Sequence, residues 1–240
     1  VAMFELHDMD ADGYNEYILY GQAEPNFIDI LDRNFERLDH IPVFYDLKEM
    51  IVADIDGDSL SEILTFGLED TFTGVVYKYE HTGRFDMRLH SKREVFRGED
   101  RVLNGTRDGR YDLLYARFNT VPGKANEILF QVITGYDLYP RALFLIDLSG
   151  MSVKWSLLFG SSPTHVILEE EDDDWYAVVT TNAPSNGYTV NGYSDSTSHL
   201  LKIDSRGNIR YSELKSIGDF FYTSLQKSRF ADGEKHYIYH

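Results

Sequence analysis

The chain contains no cysteine among its 240 residues, which excludes a disulfide framework, thiolate metal ligands and a cysteine nucleophile. It also lacks any apolar run of about 18 residues, so the sequence predicts no membrane insertion in this segment. Basic residues are scarce: 23 Lys and Arg accompany 40 Asp and Glu, giving a net charge of −17. Because such a surface repels phosphate backbones and attracts cations, we expect no nucleic-acid partner and look for a metal site.

Sequence signatures of catalysis are missing as well. The chain has no G-x-S-x-G elbow, no H-E-x-x-H pair and no G-x-x-x-x-G-K-[ST] loop. Its 8 histidines are scattered without the spacing of metal ligands. We therefore expect no catalytic residues and favour a binding role over an enzyme.

An acidic motif recurs along the chain. Residues 8–16 (loop one) read DMDADGYNE and residues 54–62 (loop two) read DIDGDSLSE, so both follow D-x-D-x-D-x-x-x-E and lead into an apolar strand. Residues 104–112, NGTRDGRYD, keep the spacing with weaker ligands, and residues 172–179 and 232–239 keep only parts of it. The fifth motif positions fall at residues 12, 58, 108, 172 and 232, a repeat of the size expected for a multi-stranded unit.

A second repeated feature is a tight turn between two apolar strands, which alternates with the acidic motif. These turns are predicted at residues 32–34, 81–83, 147–150 and 204–207. Each ends on Asn or Gly, residue types that tolerate the positive φ of short hairpins. The sequence therefore predicts positive φ at Asn34, Gly83, Gly150 and Gly207.

Together the two features predict an all-β chain of propeller blades, because units of this length with several strands each are typical of β-propellers. The expected blades are 8–53, 54–103, 104–167 and 168–227, followed by part of a fifth at 228–240. We expect the ring to be completed by sequence outside this segment. A β-sandwich is the structural alternative, but it does not account for an acidic loop at the same point of every unit.

Loops one and two resemble FG-GAP repeats, also called VCBS-type repeats, which are the blades of integrin-α-like propellers and occur in bacterial surface proteins. The resemblance is strongest over residues 1–70 and weakens towards residue 120. It implies a Ca²⁺-binding propeller in a surface or sensor protein.

Alternating aspartates direct several carboxylates into one concavity, and Ca²⁺ prefers about 6–8 oxygen ligands. Mg²⁺ fits the pattern less well because it demands a tight octahedral shell and retains its waters. In each loop, positions one, three, five and nine are the expected side-chain ligands and position seven the expected carbonyl ligand. These residues are Asp8, Asp10, Asp12, Tyr14 and Glu16 in loop one, and Asp54, Asp56, Asp58, Leu60 and Glu62 in loop two.

Two weaker sites are also predicted. The third loop offers Asn104, Thr106, Asp108 and Asp112 as metal ligands of lower charge. The long polar and aromatic segment 180–198 offers Asn186, Tyr188, Tyr193 and Asp195 as a face for a sugar or peptide, because loops of this kind often carry function. A flexible surface loop is the alternative interpretation of that segment.

The leading functional hypothesis is a non-catalytic binding or sensing module, which recognises a protein, peptide or glycan and is stabilised by Ca²⁺. We expect it at the cell surface, in the periplasm or outside the cell, where Ca²⁺ is abundant enough for weak sites. A Ca²⁺-dependent polysaccharide-active enzyme of lyase type and a structural spacer are the alternatives, since propellers host many functions.

Overall fold

The regular elements of the part of the chain that the structure describes are β-strands. The computed structural model describes residues 3–22, 25–70, 73–100, 113–134, 138–172, 174–183, 189–217, 225–229 and 235–239. Across these ranges, no helix has the length and apolar character needed to cross a bilayer.

The first two sheets each contain four antiparallel strands in chain order. The first consists of β1 (Met3–His7), β2 (Glu16–Gly21), β3 (Asn26–Leu31) and β4 (Arg37–Val43). The second consists of β5 (Asp46–Ala53), β6 (Glu62–Leu68), β7 (Thr73–Gly83) and β8 (Asp86–Arg97).

The later strands form two further sheets of four, accompanied by short pairs. In order along the chain they are β9 (Glu99–Asp100), β10 (Leu113–Thr120), β11 (Glu127–Thr134), β12 (Leu138–Tyr139), β13 (Arg141–Asp147), β14 (Ser152–Leu158), β15 (Ser162–Glu171), β16 (Asp174–Asn182), β17 (Thr189–Val190), β18 (Tyr193–Ser194), β19 (Thr197–Asp204), β20 (Ile209–Ile217), β21 (Leu225–Arg229) and β22 (Lys235–Tyr239). The third sheet has the order β10-β11-β13-β14 and the fourth β15-β16-β19-β20. The pairs are β9 with β12, β17 with β18, and β21 with β22.

Four successive four-stranded sheets followed by a strand pair confirm the predicted all-β fold of β-propeller blades, because each sheet is the unit from which propellers are built. Every such sheet follows the chain from one edge to the other. The first two sheets begin at Met3 and Asp46, each one strand before its expected range, because the strand that precedes the acidic loop pairs with the strand that follows it. The third sheet begins at Leu113, inside its expected range.

Internal contacts divide the chain into two compact units, residues 1–98 with 147–152, and residues 99–146 with 153–240. The first unit has a core shared by its two sheets, which includes Ile18, Ile30, Val52 and Tyr77. The second unit has a core that includes Leu143, Phe159, Trp175, Leu201 and Ile203. Inner strands such as β6 are buried at every position, whereas β14 alternates between exposed and half-buried residues, as an outer strand should.

Three of the predicted turns lie between the third and fourth strands of their sheets, whereas residues 81–83 end β7 and the turn follows at Arg84 and Phe85. The left-handed residues of the turns also differ from the prediction. Only Gly207 has the expected positive φ, of 80°. The prediction is wrong for Asn34, Gly83 and Gly150. In those turns, positive φ falls one or two residues later, on Phe35, Phe85 and Met151.

Side-chain packing and aspartate capping account for this shift. The ring of Phe35 stacks on Tyr17 with centroids 4.7 Å apart, Phe85 packs against the first core, and Met151 is buried. In the first turn, Asp32 Oδ1 accepts hydrogen bonds from the backbone N–H groups of Asn34 and Glu36, both at 2.8 Å. Such Asp turns hold the backbone without a glycine, so apolar contacts determine which residue adopts the strained conformation.

Candidate metal centre

The two acidic loops occupy equivalent places, each joining the first strand of its sheet to the second. Position two of the motif, Met9 in loop one and Ile55 in loop two, is buried in the protein. The flanking aspartates are half-buried or exposed. Each loop is therefore anchored by one apolar side chain, and its aspartates are less buried than that anchor.

The aspartates at positions three and five form the same hydrogen bonds in both loops. Asp10 Oδ1 accepts a hydrogen bond from the N–H of Asp12 at 3.3 Å, and Asp12 Oδ1 accepts one from Tyr14 at 3.0 Å. In loop two, Asp56 Oδ1 accepts a hydrogen bond from the N–H of Asp58 at 3.1 Å, and Asp58 Oδ1 accepts one from the N–H of Leu60 at 2.8 Å. Each aspartate thus caps the residue two positions later, which curls the backbone.

The first aspartate of each loop accepts hydrogen bonds at both of its oxygens. Asp8 Oδ2 accepts one from the N–H of Gly13 at 2.9 Å, and Asp54 Oδ2 accepts one from Ser59 at 3.1 Å. Their Oδ1 atoms accept hydrogen bonds from Asp12 at 3.1 Å and from Gly57 at 2.7 Å. These bonds fold the loop back over its own first residue.

The closing glutamates are buried at the base of the loops. Glu16 is 4% exposed and Glu62 is 3% exposed. Glu16 Oε2 accepts a hydrogen bond from the N–H of Met9 at 2.9 Å, and Glu62 Oε2 accepts one from Ile55 at 2.7 Å. Burial raises the pKa of Glu16, with Asp10, Asp12 and Asp8 adding to the shift, and burial raises the pKa of Glu62 to about 7.

Positions four and six of each loop are left-handed. They are Ala11 (φ 57°) and Gly13 (φ 88°) in loop one, and Gly57 (φ 83°) and Ser59 (φ 74°) in loop two. Each loop therefore has a glycine at one left-handed position and a residue with a Cβ at the other. The glycine is at position six in loop one and at position four in loop two. The two sequences meet the same backbone requirement in different ways.

Carboxylates converge in both loops. Oxygen atoms of Asp8, Asp10 and Glu16 lie within 4.8 Å of one another, and so do those of Asp54, Asp56 and Asp58. Each set contains three of the four side-chain ligands predicted from sequence. All donors are hard oxygen atoms, and spacing of this size suits a cation with oxygen ligands at roughly 2.3–2.6 Å, so the residues fit Ca²⁺.

Asp12 is turned towards an arginine that the sequence did not indicate. Arg84, from the turn between β7 and β8, donates from Nε to Asp10 Oδ2 at 2.7 Å and from Nη2 to Asp12 Oδ2 at 3.1 Å. A guanidinium thus provides positive charge to loop one. A lone basic residue in a turn has no sequence pattern that points to this contact.

Ser61 links the two loops. Its backbone N–H donates to the carbonyl of Met9 at 2.9 Å, and its hydroxyl lies 2.8 Å from His7 Nε2. His81 Nε2 lies 3.1 Å from the carbonyl of Ser61. Because Ser61 directly precedes Glu62 and Met9 directly follows Asp8, the positions of the two loops are coupled through backbone atoms.

The other predicted sites are placed only in part. The weak ligands Asn104, Thr106, Asp108 and Asp112 lie outside the described residues, as do Asn186 and Tyr188. Tyr193 is half-buried and its ring meets that of His199 edge-on at 5.0 Å. Asp195 is fully buried and lies 3.8 Å from Nη1 of the equally buried Arg141, so this acid faces the interior.

No protein-family model matches the chain, and no curated protein matches its sequence. The chain is similar to a crystal structure of BBS1N in complex with ARL6DN, soaked with mercury, at a TM-score of 0.49 and 10% identity over 98% of this chain and 75% of that one. The same complex soaked with lead has a TM-score of 0.47 and 9% identity, with coverage of 98% and 74%. A protein of unknown function from Bacteroides caccae has a TM-score of 0.39 and 11% identity, with coverage of 90% and 83%. Because all three TM-scores are below 0.5, the fold class is assigned from the strand order of this chain and not from these similarities.

Proposed function

We propose that this chain is a non-catalytic binding or sensing module of β-propeller blades whose first two blades hold Ca²⁺ in loops of the FG-GAP or VCBS type. The observation that carries this proposal is the similarity of the two loops. In both, the aspartates at positions three and five accept hydrogen bonds from the N–H two positions later, the closing glutamate is buried, and three carboxylates lie within 4.8 Å of one another.

The metal role is structural. Clustered carboxylates repel one another when no cation is present, and burial of the closing glutamate adds to that cost. A bound Ca²⁺ removes both penalties and binds only the folded loop, so it stabilises the blades by mass action. Ser61 then transmits the order of one loop to the other, because it contacts residues beside both.

The chemistry of the loops favours an external setting. Acidic extracellular modules bind Ca²⁺ with dissociation constants of about 10⁻⁴–10⁻³ M, which a Ca²⁺-poor cytosol would leave empty. We therefore place the chain at the cell surface, in the periplasm or outside the cell. Its partner there is a protein, peptide or glycan. The blades present a rigid surface that recognises this partner.

Calorimetric titration of metal-free protein with Ca²⁺ tests the metal role. The wild-type chain is expected to bind about two ions in the millimolar to submillimolar range. Asp10→Ala and Asp56→Ala are each expected to lose one of them, because each change removes a central ligand of one loop. Asp46→Ala is the matched control, since Asp46 is a surface aspartate paired with Lys48, outside both loops.

An absence of heat from the wild-type chain would contradict the proposal, as would equal binding by wild type and both loop variants. Loss of binding in Asp46→Ala would show that general surface charge, not the loops, attracts the ion.

A further inference from the structure

The outer strand of the second sheet differs from the other outer strands in length and charge. β8 has 12 residues, whereas β4 and β14 have 7 and β20 has 9. It carries four basic residues and one histidine, Arg88, His90, Lys92, Arg93 and Arg97, against only Asp86 and Glu94. In a chain with a net charge of −17, this strand is a local site of positive charge.

One edge of β8 is available for pairing. β8 pairs with β7 and ends the sheet, so within the described residues its outer edge has no strand partner. Register shifts interrupt the pairing with β7 on both sides of the run Ser91–Glu94, which itself keeps a regular register. An added strand would therefore find a short regular edge with exposed side chains at Lys92 and Arg93.

An apolar pocket lies next to this edge. Its volume is about 410 Å³, within the range of ligand pockets, and its lining includes Pro42, Phe44, Tyr77, Leu89 and Lys92. Phe44 is 82% exposed and Leu89 is 50% exposed. Apolar side chains of this size gain free energy when a partner covers them. Because Arg88 and Lys92 also line the pocket, the charges of these two residues lie on the same side of the strand as the apolar surface.

The cations of β8 take part in surface pairs. Lys92 contacts Glu69, and Arg88 Nη2 lies 2.5 Å from Asp86 Oδ1. The side chains of Lys92 and Arg88 are more than half exposed, and ion pairs in water contribute little to stability. Carboxylates of a partner can therefore replace them at little cost, while most of the remaining surface repels an acidic partner.

We propose that the outer edge of β8 and its adjacent pocket bind an extended acidic peptide segment that places one aromatic or large aliphatic side chain in the pocket. This inference rests on the proposed binding function and names the partner class and the surface. The edge supplies backbone hydrogen bonds, the basic residues select acidic side chains, and the pocket selects the apolar anchor.

The probe is a fluorescein-labelled peptide of nine residues, Glu-Val-Glu-Val-Phe-Val-Glu-Val-Glu, whose Phe and Glu side chains face the same side of a strand. Fluorescence anisotropy in Ca²⁺-containing buffer is expected to show binding at about 0.1 mM that weakens as salt rises. Replacing all Glu by Lys, or Phe by Ser, is expected to weaken binding about tenfold or more.

Matched variants locate the surface. The double variant Lys92→Glu with Arg93→Glu, and the single variants Phe44→Ala and Leu89→Ala, are each expected to weaken the peptide several-fold. Leu214→Ala on β20 is the control for Leu89→Ala, since the two leucines are 47% and 50% exposed on outer strands. Arg206→Glu, an exposed arginine in the turn before β20, is the control for charge reversal.

This inference would be overturned if the acidic peptide did not bind, or if the Lys peptide bound equally well. Equal effects of Leu89→Ala and Leu214→Ala would also overturn it. So would equally tight binding of free phenylacetate, because that result would indicate a small-molecule site. Failure here is separable from failure of the proposed function. If peptides or glycans selected on an array still bind the β8 variants, the chain has a binding function at another surface. The Ca²⁺ titration tests the acidic loops independently of β8.

Discussion

At the residue scale, the left-handed positions of the acidic loops are the most sensitive points. A residue with a Cβ pays about 1–2 kcal/mol in this conformation, and a glycine does not. Because an added Cβ at Gly13 or Gly57 would meet nothing within 4 Å, the effect of substitution there is one of backbone alone.

We expect Gly13→Ala and Gly57→Ala to lower the free energy of unfolding by about 1–2 kcal/mol, and Ser59→Gly to raise it by about 0.5–1 kcal/mol. Urea unfolding in chelator measures both. Gly83→Ala is the control: Gly83 has no positive φ, and a Cβ there would have its nearest neighbour at 3.9 Å. If Gly83→Ala costs as much as Gly57→Ala, backbone conformation is not the cause.

Arg84 is a second sensitive residue because its guanidinium occupies the oxygens of Asp10 and Asp12 that a metal ion would use. Arg84→Gln removes this competitor, so Ca²⁺ affinity at loop one should rise about two- to fivefold, the range expected for exposed ion pairs. Calorimetry on the Asp56→Ala background isolates loop one for the measurement.

The control for Arg84→Gln is Arg33→Gln. Arg33 lies over the ring of Tyr14, with its guanidinium 4.6 Å from the ring centroid, so it carries the same charge beside loop one. Equal affinity gains in both variants would attribute the effect to long-range charge and not to direct competition at the ligand oxygens.

At the scale of elements, each of the first two sheets contains a glycine that lies against the ring of a phenylalanine on the neighbouring strand. Gly21 pairs directly with Phe27, and Gly74 with Phe96. A Cβ at either glycine would lie 2.2 Å or 2.5 Å from the opposing ring. Phe96 is buried next to Phe66, whereas Phe27 is only half-buried and has room to move.

Gly74→Ala is therefore expected to cost about 1–3 kcal/mol of unfolding free energy, and Gly21→Ala less. Adding Phe96→Leu to Gly74→Ala should recover part of the loss, because the smaller side chain makes room for the methyl group. Thermal or urea unfolding of Gly21→Ala, Gly74→Ala, Phe96→Leu and the double variant checks this. Additive losses in the double variant would show that the ring is not what excludes the methyl group.

The order of the strands was predictable, but the limits of the sheets were not. The motif and the tight turns mark β2, β6 and the third-to-fourth-strand hairpins. The link between the first two sheets consists of only Phe44 and Tyr45, whereas the loop inside each sheet is longer. Short connections usually join paired strands, so the sequence pattern places the boundary at the longer acidic loop.

At the scale of the molecule, the sequence revealed the periodic parts of the fold but not the contacts between them. Tyr45, a link residue with no pattern of its own, stacks on Tyr77 at 3.8 Å between ring centroids. Its hydroxyl lies 2.5 Å from Thr65 Oγ1 and 3.1 Å from the hydroxyl of Tyr79. Burial raises the pKa of Tyr45 far above its ordinary value, so it acts as a neutral hydrogen-bonding group within the second sheet.

The candidate site likewise has parts that the sequence predicts and contacts that it does not. Residue spacing predicted that the acidic side chains of each loop would converge, because alternate aspartates in a tight turn approach one another by local geometry. Arg84, Ser61 and the buried pair of Arg141 with Asp195 were not predictable, since each depends on chain segments far apart in sequence. Asp195 illustrates the difference: its polar neighbours suggest a surface loop, yet its carboxylate lies in the interior beside Arg141.

A crystal structure determined in millimolar Ca²⁺ tests the central claim most directly. The account predicts one ion in each of loops one and two, with carboxylate oxygens at roughly 2.3–2.6 Å and with Arg84 withdrawn from Asp10 and Asp12. Loops without an ion at saturating Ca²⁺, with Arg84 still bound to both aspartates, would contradict it.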